Sequence, residues 1–220
     1  MDPLLLLLDL DNTLVDRDAA FARWAEQFVA EHNGGTDVLD WLLSIDGHGY
    51  THRAVLADGL LERLELTTSR DELVQTLLHD YAPFVRCYDG IPERLRQLHD
   101  DGHTLVLLTN GSVAQQTQKL AVTGLDAFLD RVVISEAVGA KKPTAEIFDA
   151  ATAHVSPGRT GWMVGDHVEA DMVGGRAAGL RTGWVSHGRT WPNTNPPTIS
   201  AATTTEVLDL IAASTEVPGD

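Results

Sequence analysis

The stretch Leu4-Leu5-Leu6-Leu7-Leu8-Asp9-Leu10-Asp11-Asn12-Thr13 decides the fold that this chain is predicted to adopt. Its apolar half is typical of a strand that is buried on both faces. Because side chains alternate along a strand, Asp9 and Asp11 point to one side of the strand end and Leu10 to the other. Two carboxylates in so small a volume imply a bound divalent cation, a shared proton, or both. The alternative is that Asp11 caps a turn with Asn12 and that only Asp9 is functional.

Further short apolar stretches continue this pattern along the chain. We predict five main strands, at Leu4 to Leu8, Thr104 to Leu108, Arg131 to Ile134, Gly161 to Val164, and Arg181 to Val185. Helical patterns alternate with them, at Pro92 to His99, Val113 to Val122, Glu146 to His154, and Glu169 to Ala178. The alternation predicts an α/β fold with a Rossmann-like, doubly wound parallel sheet and helices on both of its faces.

One connection is too long for a simple crossover. About 95 residues separate the first two strands, whereas a crossover needs about a dozen. We therefore predict an α-helical domain of residues 16–88, inserted into a core domain of residues 1–15 and 89–220. Its expected helices cover Phe21 to Val29, Val38 to Ile45, His52 to Leu66, and a segment that a capping box opens at Ser69 and that runs to Tyr81. Linkers around Asp16 and Asp89 would let it move as a lid.

The chain after the last predicted strand looks less regular. His187 to Thr205 is rich in Pro, Thr, Ser and Asn, and we expect a surface loop there. A short final helix from Thr205 to Ala213 and a frayed tail are expected to follow.

Polar groups also follow the second predicted strand. Thr109-Asn110-Gly111-Ser112 lies just before a helix, where a hydroxyl, outward amides and a helix start make a site for phosphate or carboxylate. The same residues also suit an ordinary turn and helix cap.

Only three lysines occur beside 13 arginines, and the pair Lys141-Lys142 precedes Pro143. We expect Lys142 to neutralise a phosphoryl oxygen and Lys141 to be a solvated surface lysine.

The fourth predicted strand ends in further acids. Asp166 is placed to bind a metal through oxygen, and a carboxylate set without thiolates favours magnesium over zinc. Asp171 can orient metal-bound water or simply complement the dipole of the following helix. His48 and His52 have the i, i+4 spacing of a zinc pair, but Gly47 and Gly49 break a helix there, so we expect no zinc.

The composition excludes several classes of partner and site. The 220 residues include 32 Asp and Glu against 16 Lys and Arg, and the formal net charge is −16. This charge repels phosphate backbones and anionic lipids, so we expect no nucleic-acid and no membrane partner. The single Cys87 excludes an internal disulfide. No Lys or Arg precedes the leucine run, which argues against a signal peptide, and a soluble cytoplasmic protein is expected. Nothing in the sequence indicates an oligomeric state.

Taken together, these strand-end motifs resemble the four ordered motifs of the haloacid dehalogenase (HAD) superfamily, over essentially the whole chain. The motifs are Asp9-Leu10-Asp11-Asn12-Thr13, Thr109-Asn110-Gly111, Lys142-Pro143, and Gly165-Asp166 with Asp171. The helical insertion resembles the small α-helical (C1-type) cap. Because it contains Asp11, the chain resembles the phosphatase branch of the superfamily; the dehalogenases lack this second aspartate.

The resemblance implies a magnesium-dependent phosphatase acting on a small phosphate ester. Asp9 would be the nucleophile that forms an aspartyl-phosphate, and Asp11 the general acid and base. Magnesium would bind Asp9, Asp166 and the backbone carbonyl of Asp11, with Asp171 beside it. The phosphate would be held by Thr109, Asn110, Gly111 and Lys142.

Two other functions remain compatible with these motifs. A phosphomutase of the same superfamily would return the phosphoryl group to a sugar. A signalling or interaction module would keep a long-lived phospho-aspartate without turnover, although such a surface needs no lid.

The insertion also contains the polar, glycine-flanked loop Asp46-Gly47-His48-Gly49-Tyr50-Thr51-His52, which is expected to pack no core. If the insertion closes over the crevice, this loop and the linker would face the non-phosphate end of the substrate. The candidate specificity residues are Asp16, Arg17, His48 and Tyr50. The alternative is a solvated connector.

Overall fold

The computed structural model describes residues 3–153 and 161–214, and these fall into two compact units. Asp16–Arg86 form a helical unit, and the chain before and after it forms a sheet unit. Because the chain leaves the sheet unit after Val15 and returns to it at Cys87, the helical unit is an insertion after the first strand.

The sheet unit contains a parallel sheet of six strands in the order β3-β2-β1-β4-β5-β6. Its strands are β1 (Leu5–Leu8), β2 (Thr104–Thr109), β3 (Arg131–Ile134), β4 (Gly161–Gly165), β5 (Arg181–Val185) and β6 (Ile199–Ala201). The prediction of a doubly wound parallel sheet is confirmed, and all five predicted strands are present with ends that differ by at most one residue.

The sixth strand corrects the prediction of a surface loop between His187 and Thr205. Ile199–Ala201 pairs in parallel with β5, and Thr198 and Thr182 exchange backbone-to-hydroxyl hydrogen bonds of 3.2 Å beside it. An edge strand needs no continuous apolar pattern, because one of its sides has no neighbouring strand. Its polar sequence therefore resembled that of a loop.

Helices cover both faces of the sheet. They are α5 (Ile91–Asp100), α6 (Val113–Thr123), α7 (Ser135–Val138), α8 (Ala145–Thr152), α9 (Gly174–Ala177) and α10 (Thr204–Ser214). On one face, Ile147 and Phe148 of α8 pack with Leu5, Leu7 and Val106 in a buried apolar cluster. On the other face, Val207 and Ile211 of α10 lie against Gly183, where a larger residue would have no room. Burial on both faces explains why the strands are almost wholly apolar.

One predicted helix has a different geometry. The segment expected to be helical from Glu169 to Ala178 begins as a π-helix over Val168–Val173 and becomes α-helical only in α9. The side chain of His167 accepts a hydrogen bond of 3.0 Å from the Ala170 amide at its start. Helix α8 finishes at Thr152, and its predicted end at His154 lies outside the described residues, as does the predicted tail.

The helical unit contains α1 (Arg17–Glu31), α2 (Thr36–Asp46), α3 (Arg53–Arg63) and α4 (Arg70–His79), with short 3₁₀ turns at Gly47–Gly49 and Ala82–Phe84. The predicted capping box is present, since Ser69 and Glu72 bond reciprocally at the start of α4. Helix α3 ends three residues before the predicted Leu66, because Leu64 already has an extended backbone. Among the described residues, no helix has the length and apolar character needed to span a membrane.

The expectation that the loop from Asp46 to His52 packs no core is wrong for its first residue. Asp46 is buried at the end of α2, where it bonds Arg17 of α1 and Arg53 of α3. The same carboxylate accepts a hydrogen bond of 3.0 Å from the Gly49 amide. One buried carboxylate thus joins three helices and fixes the turn that follows it.

Candidate active site

The carboxyl ends of β1, β2 and β4 meet at one edge of the sheet because these strands are neighbours. Asp9 follows β1, Thr109 ends β2, and Asp166 follows β4. Asp171 of the π-helix completes an acidic cluster, in which oxygens of Asp9, Asp166 and Asp171 all lie within 4.8 Å of one another. All three residues are buried.

Asp9 is held by contacts on both of its carboxylate oxygens. Lys142 Nζ lies 2.6 Å from Oδ1, and the Thr13 hydroxyl donates to Oδ2 at 3.2 Å. Burial raises the pKa of Asp9 to about 7; Lys142 opposes that rise, while the negative charges of Asp171 and Asp11 add to it. Asp9 is therefore a carboxylate whose charge is only partly compensated by its surroundings.

Asp166 has a similar electrostatic environment. Burial, followed by the charges of Asp9 and Asp171, raises its pKa to about 8, although Arg189 acts in the opposite direction. The Arg189 guanidinium lies 3.2 Å from Asp166 Oδ2 and 2.9 Å from its backbone oxygen. The indole of Trp184 also donates to that backbone oxygen, at 2.9 Å. Strand β5 and the loop after it therefore anchor Asp166.

Lys142 lies in the turn between α7 and α8 and is the cation at the centre of the cluster. Its Nζ bonds Asp9 Oδ1 at 2.6 Å and Asp171 Oδ1 at 2.7 Å. Burial alone would lower the pKa of Lys142, but Asp171 and Asp9 outweigh burial and raise it. Asn110 holds the backbone of Lys142 through two hydrogen bonds, accepting from its amide at 2.9 Å and donating to its carbonyl at 3.1 Å.

Asp171 is fully buried, and both of its carboxylate oxygens are engaged. Oδ1 accepts from Lys142, and Oδ2 accepts from the His167 amide at 3.0 Å. Asp171 is thus a partner of Lys142 as well as an acid near a helix start.

The loop after β2 combines the two roles that its sequence allowed. Ser112 caps α6 by accepting a hydrogen bond of 3.2 Å from the Gln115 amide. The Thr109 hydroxyl is buried at the strand end, and the Gly111 amide donates to Ser135 at 3.0 Å. The loop is therefore a helix cap that also brings Thr109 and Asn110 to the acidic cluster.

Asp11 has partners that the sequence did not reveal. Lys119 of α6 lies with Nζ 2.7 Å from both carboxylate oxygens, and Gln116 donates to Oδ2 at 3.0 Å. Gln116 and Lys119 are three residues apart on α6 and so share one helix face. The scarcity of lysine could have indicated Lys119, whereas no sequence signal indicated Arg189.

The candidate specificity residues lie in two kinds of environment within the helical unit. Asp16 caps α1 by accepting from the Ala19 amide at 2.9 Å, and Arg17 is buried against Asp46. His48 is exposed and contacts Asp18, and Tyr50 is 58% exposed. Asp16 and Arg17 thus stabilise the unit, and His48 and Tyr50 lie on its surface.

The donors in the acidic cluster fit magnesium. They are carboxylate oxygens, which hard divalent cations prefer, and no thiolate or imidazole belongs to the cluster. Burial raises the pKa values of Asp9 and Asp166 first, and the charges of the neighbouring carboxylates add to the rise. A bound divalent cation would supply positive charge there.

A doubly wound parallel sheet with a carboxylate cluster at its carboxyl edge and a helical insertion after β1 is the architecture that the sequence motifs imply. The profile of the haloacid dehalogenase-like hydrolase family matches residues 6–185. The chain belongs to this family.

Curated relatives and solved structures agree with this assignment. Pyrimidine 5'-nucleotidase PynA of Streptococcus pneumoniae is 30% identical over 203 residues, which cover 81% of this chain and 82% of that protein. Glyceraldehyde 3-phosphate phosphatase of Pyrococcus abyssi is 28% identical over 197 residues, which cover 84% and 82%. YfnB of Bacillus subtilis, solved bound to magnesium, matches 96% of this chain and 100% of its own with a TM-score of 0.79 at 22% identity. This last likeness shows the shared fold.

Proposed function

We propose that this protein is a magnesium-dependent phosphatase that hydrolyses a small phosphate monoester through an aspartyl-phosphate on Asp9. The observation that carries the proposal is the buried Asp9 carboxylate, which lies 2.6 Å from Lys142 at the carboxyl edge of the sheet. The neighbouring Asp11 supplies a second carboxylate on the same strand end. A carboxylate nucleophile, a second carboxylate for proton transfer and a lysine that neutralises phosphoryl oxygens together suit phosphoryl transfer through a covalent intermediate.

The reaction has two displacements at phosphorus. In the first, a carboxylate oxygen of Asp9 bonds to phosphorus while the bond from phosphorus to the ester oxygen breaks, and Asp11 gives its proton to the departing alkoxide. In the second, water attacks the aspartyl-phosphate, Asp11 takes up a proton from that water, and the bond between phosphorus and Asp9 breaks. The products are an alcohol and inorganic phosphate, and both carboxylates return to their starting state.

The residues around Asp9 hold the phosphoryl group. Lys142 places an ammonium beside the attacking oxygen, and the Thr109 hydroxyl and the loop of Asn110 and Gly111 offer neutral donors. Asn110 acts mainly by fixing the Lys142 backbone, since both ends of its side-chain amide are engaged there.

The metal would be held by the carboxylates of Asp9 and Asp166 and by the backbone carbonyl of Asp11. When bound, magnesium supplies positive charge that lowers the repulsion between the phosphoryl oxygens and the acidic cluster. Asp171 orients Lys142 beside it, and Arg189 orients Asp166.

For the substrate we propose a small organic phosphate, the class named for both relatives. The helical unit, which resembles the family's cap, would recognise the part of the substrate that is not phosphate. His48 and Tyr50 are better suited to that role than Asp16 and Arg17, because their side chains are exposed and the other two already stabilise α1 and its neighbours.

The test is steady release of inorganic phosphate from p-nitrophenyl phosphate and from a panel of nucleotides, sugar phosphates and phosphoglycolate. We expect turnover with magnesium, none in EDTA, and recovery when magnesium is restored. Release of at most one phosphate per chain would support a phospho-aspartate signalling module. Isomerisation of a sugar phosphate that requires a bisphosphate activator would support the phosphomutase. Full activity after exhaustive chelation would show that the reaction needs no divalent metal.

A further inference from the structure

Lys119 is a buried cation that the proposed chemistry does not use. It lies on α6 with only 1% of its surface exposed, and its ammonium is 2.7 Å from each oxygen of Asp11. Burying an ammonium is costly unless a carboxylate pairs with it, so the pair with Asp11 fixes both side chains.

Gln116 strengthens the same arrangement from one turn earlier on α6. Its side chain is fully buried, and Nε2 lies 3.0 Å from Asp11 Oδ2, 2.6 Å from the Thr109 hydroxyl and 3.2 Å from the Asn110 carbonyl. One amide therefore links Asp11 to the loop after β2.

The two carboxylates at the end of β1 are held in different ways. The Lys142 ammonium is shared between two residues and bonds one carboxylate oxygen of Asp9 and one of Asp171. The Lys119 ammonium instead bonds both carboxylate oxygens of Asp11. The side chain of Asp11 is 26% exposed, so without these partners it could rotate into solvent. The pair with Lys119 restricts that rotation.

We propose that Lys119, assisted by Gln116, is a positioning residue that orients the carboxylate of Asp11 for proton transfer. This inference rests on the function proposed above, in which Asp11 is the general acid and base. A general acid works only within hydrogen-bond reach of the leaving oxygen, and small misplacements are costly.

The experiment compares Lys119→Met with the wild-type enzyme on an alkyl phosphate and on p-nitrophenyl phosphate. An alkoxide needs protonation as it leaves, and p-nitrophenolate needs little. We expect kcat for the alkyl phosphate to fall at least about tenfold more than kcat for p-nitrophenyl phosphate, with KM little changed. Lys119→Arg should restore most of the loss, and in a background of Asp11→Asn the Met substitution should cost nothing further.

The matched control is Lys141→Met, which removes a lysine with an exposed side chain and should leave both rates unchanged. Gln116→Met is a second variant in case Lys119→Met folds poorly. It should change the ratio of the two kcat values in the same direction, and it should also raise KM because its amide contacts Thr109.

The outcomes separate the two proposals. Equal losses on both substrates, or losses that add to those of Asp11→Asn, would show that Lys119 acts through stability alone and would overturn the inference. A wild-type protein that hydrolyses neither substrate would overturn the proposed function itself.

Discussion

The sheet unit and the helical unit each contain a buried ionic cluster, and the two clusters have opposite charge balance. In the helical unit, the Asp46 carboxylate bonds two guanidinium groups, those of Arg17 and Arg53. Burial acts to raise the pKa of Asp46, but both arginines outweigh it and hold the pKa below its ordinary value. In the sheet unit, Lys142 bonds two of the three clustered carboxylates, and the pKa values of Asp9 and Asp166 rise to about 7 and about 8.

The difference separates a structural cluster from a site that accepts a cation. The cluster around Asp46 is saturated with donors, so it holds helices together and gains nothing from a metal. The cluster around Asp9 keeps negative charge in a buried place, which costs stability unless a cation binds or a proton is taken up. Proteins accept such costs at functional sites.

The largest effect is expected for Asp9→Asn. Removing the nucleophile should lower kcat by roughly three or more orders of magnitude. The same substitution relieves repulsion among the acids, so the unfolding temperature in EDTA should stay equal to that of the wild type or rise. Activity assays and thermal unfolding of one preparation measure both. Near-normal turnover would exclude Asp9 as the nucleophile.

Asp46→Asn should have the opposite effect. It removes the carboxylate that bonds the buried guanidinium groups of Arg17 and Arg53, although Arg17 keeps a contact of 3.2 Å with Asp18. Losing one partner of a buried ion pair costs about 3–5 kcal/mol. Urea unfolding measures this loss in free energy.

The matched control for Asp46→Asn is Asp58→Asn, which removes an exposed carboxylate paired with Arg70 and should leave stability nearly unchanged. If Asp46→Asn were as harmless as this control, the buried cluster would not be what joins the helices.

The two clusters should also respond to pH in opposite directions. The folded pKa of Asp46 lies below the ordinary 3.8, so its contribution is present above that value and is lost only as the pH falls through the folded pKa. The folded pKa values of Asp9 and Asp166 lie above 3.8, so the metal-free protein should lose stability as the pH rises from about 4 to about 8.

Magnesium should prevent this loss of stability at higher pH, because the metal binds the deprotonated carboxylates. We expect it to raise the unfolding temperature more at about pH 8 than at about pH 5.5, and to have little effect on Asp166→Asn. Thermal unfolding with magnesium and with EDTA at both pH values measures the difference. A shift of equal size at both pH values would contradict the site.

The smallest effect is expected for the exposed residues of the helical unit. Tyr50→Ala should lower kcat/KM for the preferred natural substrate several-fold and leave p-nitrophenyl phosphate unaffected, because only the former has a distal group to recognise. His48→Ala serves as the companion variant. Equal effects on both substrates, or no effect on either, would show that the loop from Asp46 to His52 is a connector and does not recognise the substrate.

The sequence predicted five of the strands well because most of their residues are buried and apolar. The alternation of side chains along a strand, and the rule that ligands bind at the carboxyl ends of parallel strands, also predicted that Asp9, Thr109 and Asp166 lie at one edge of the sheet. Strand β6 was missed because it has only three residues, Ile199–Ala201, and none of them is buried.

Contacts between distant segments could not be predicted in the same way. Lys119 and Gln116 meet Asp11 across more than 100 positions of sequence, and only the parallel order of β1 and β2 brings α6 to that strand end. Asp46 looked like a loop residue because its two arginine partners lie on other helices. The start of the helix after Asp166 is a π-helix, a geometry that helical periodicity does not distinguish.

The most direct test of the central claim is the chemical identity of the phosphorylated residue during turnover. The protein would be mixed with magnesium and p-nitrophenyl phosphate, quenched in acid within one turnover, digested, and examined by mass spectrometry. Our account predicts phosphate on Asp9, which appears before inorganic phosphate, decays as inorganic phosphate is released, and is absent from Asp9→Asn. Phosphate on another residue, or turnover in which no residue becomes phosphorylated, would contradict it.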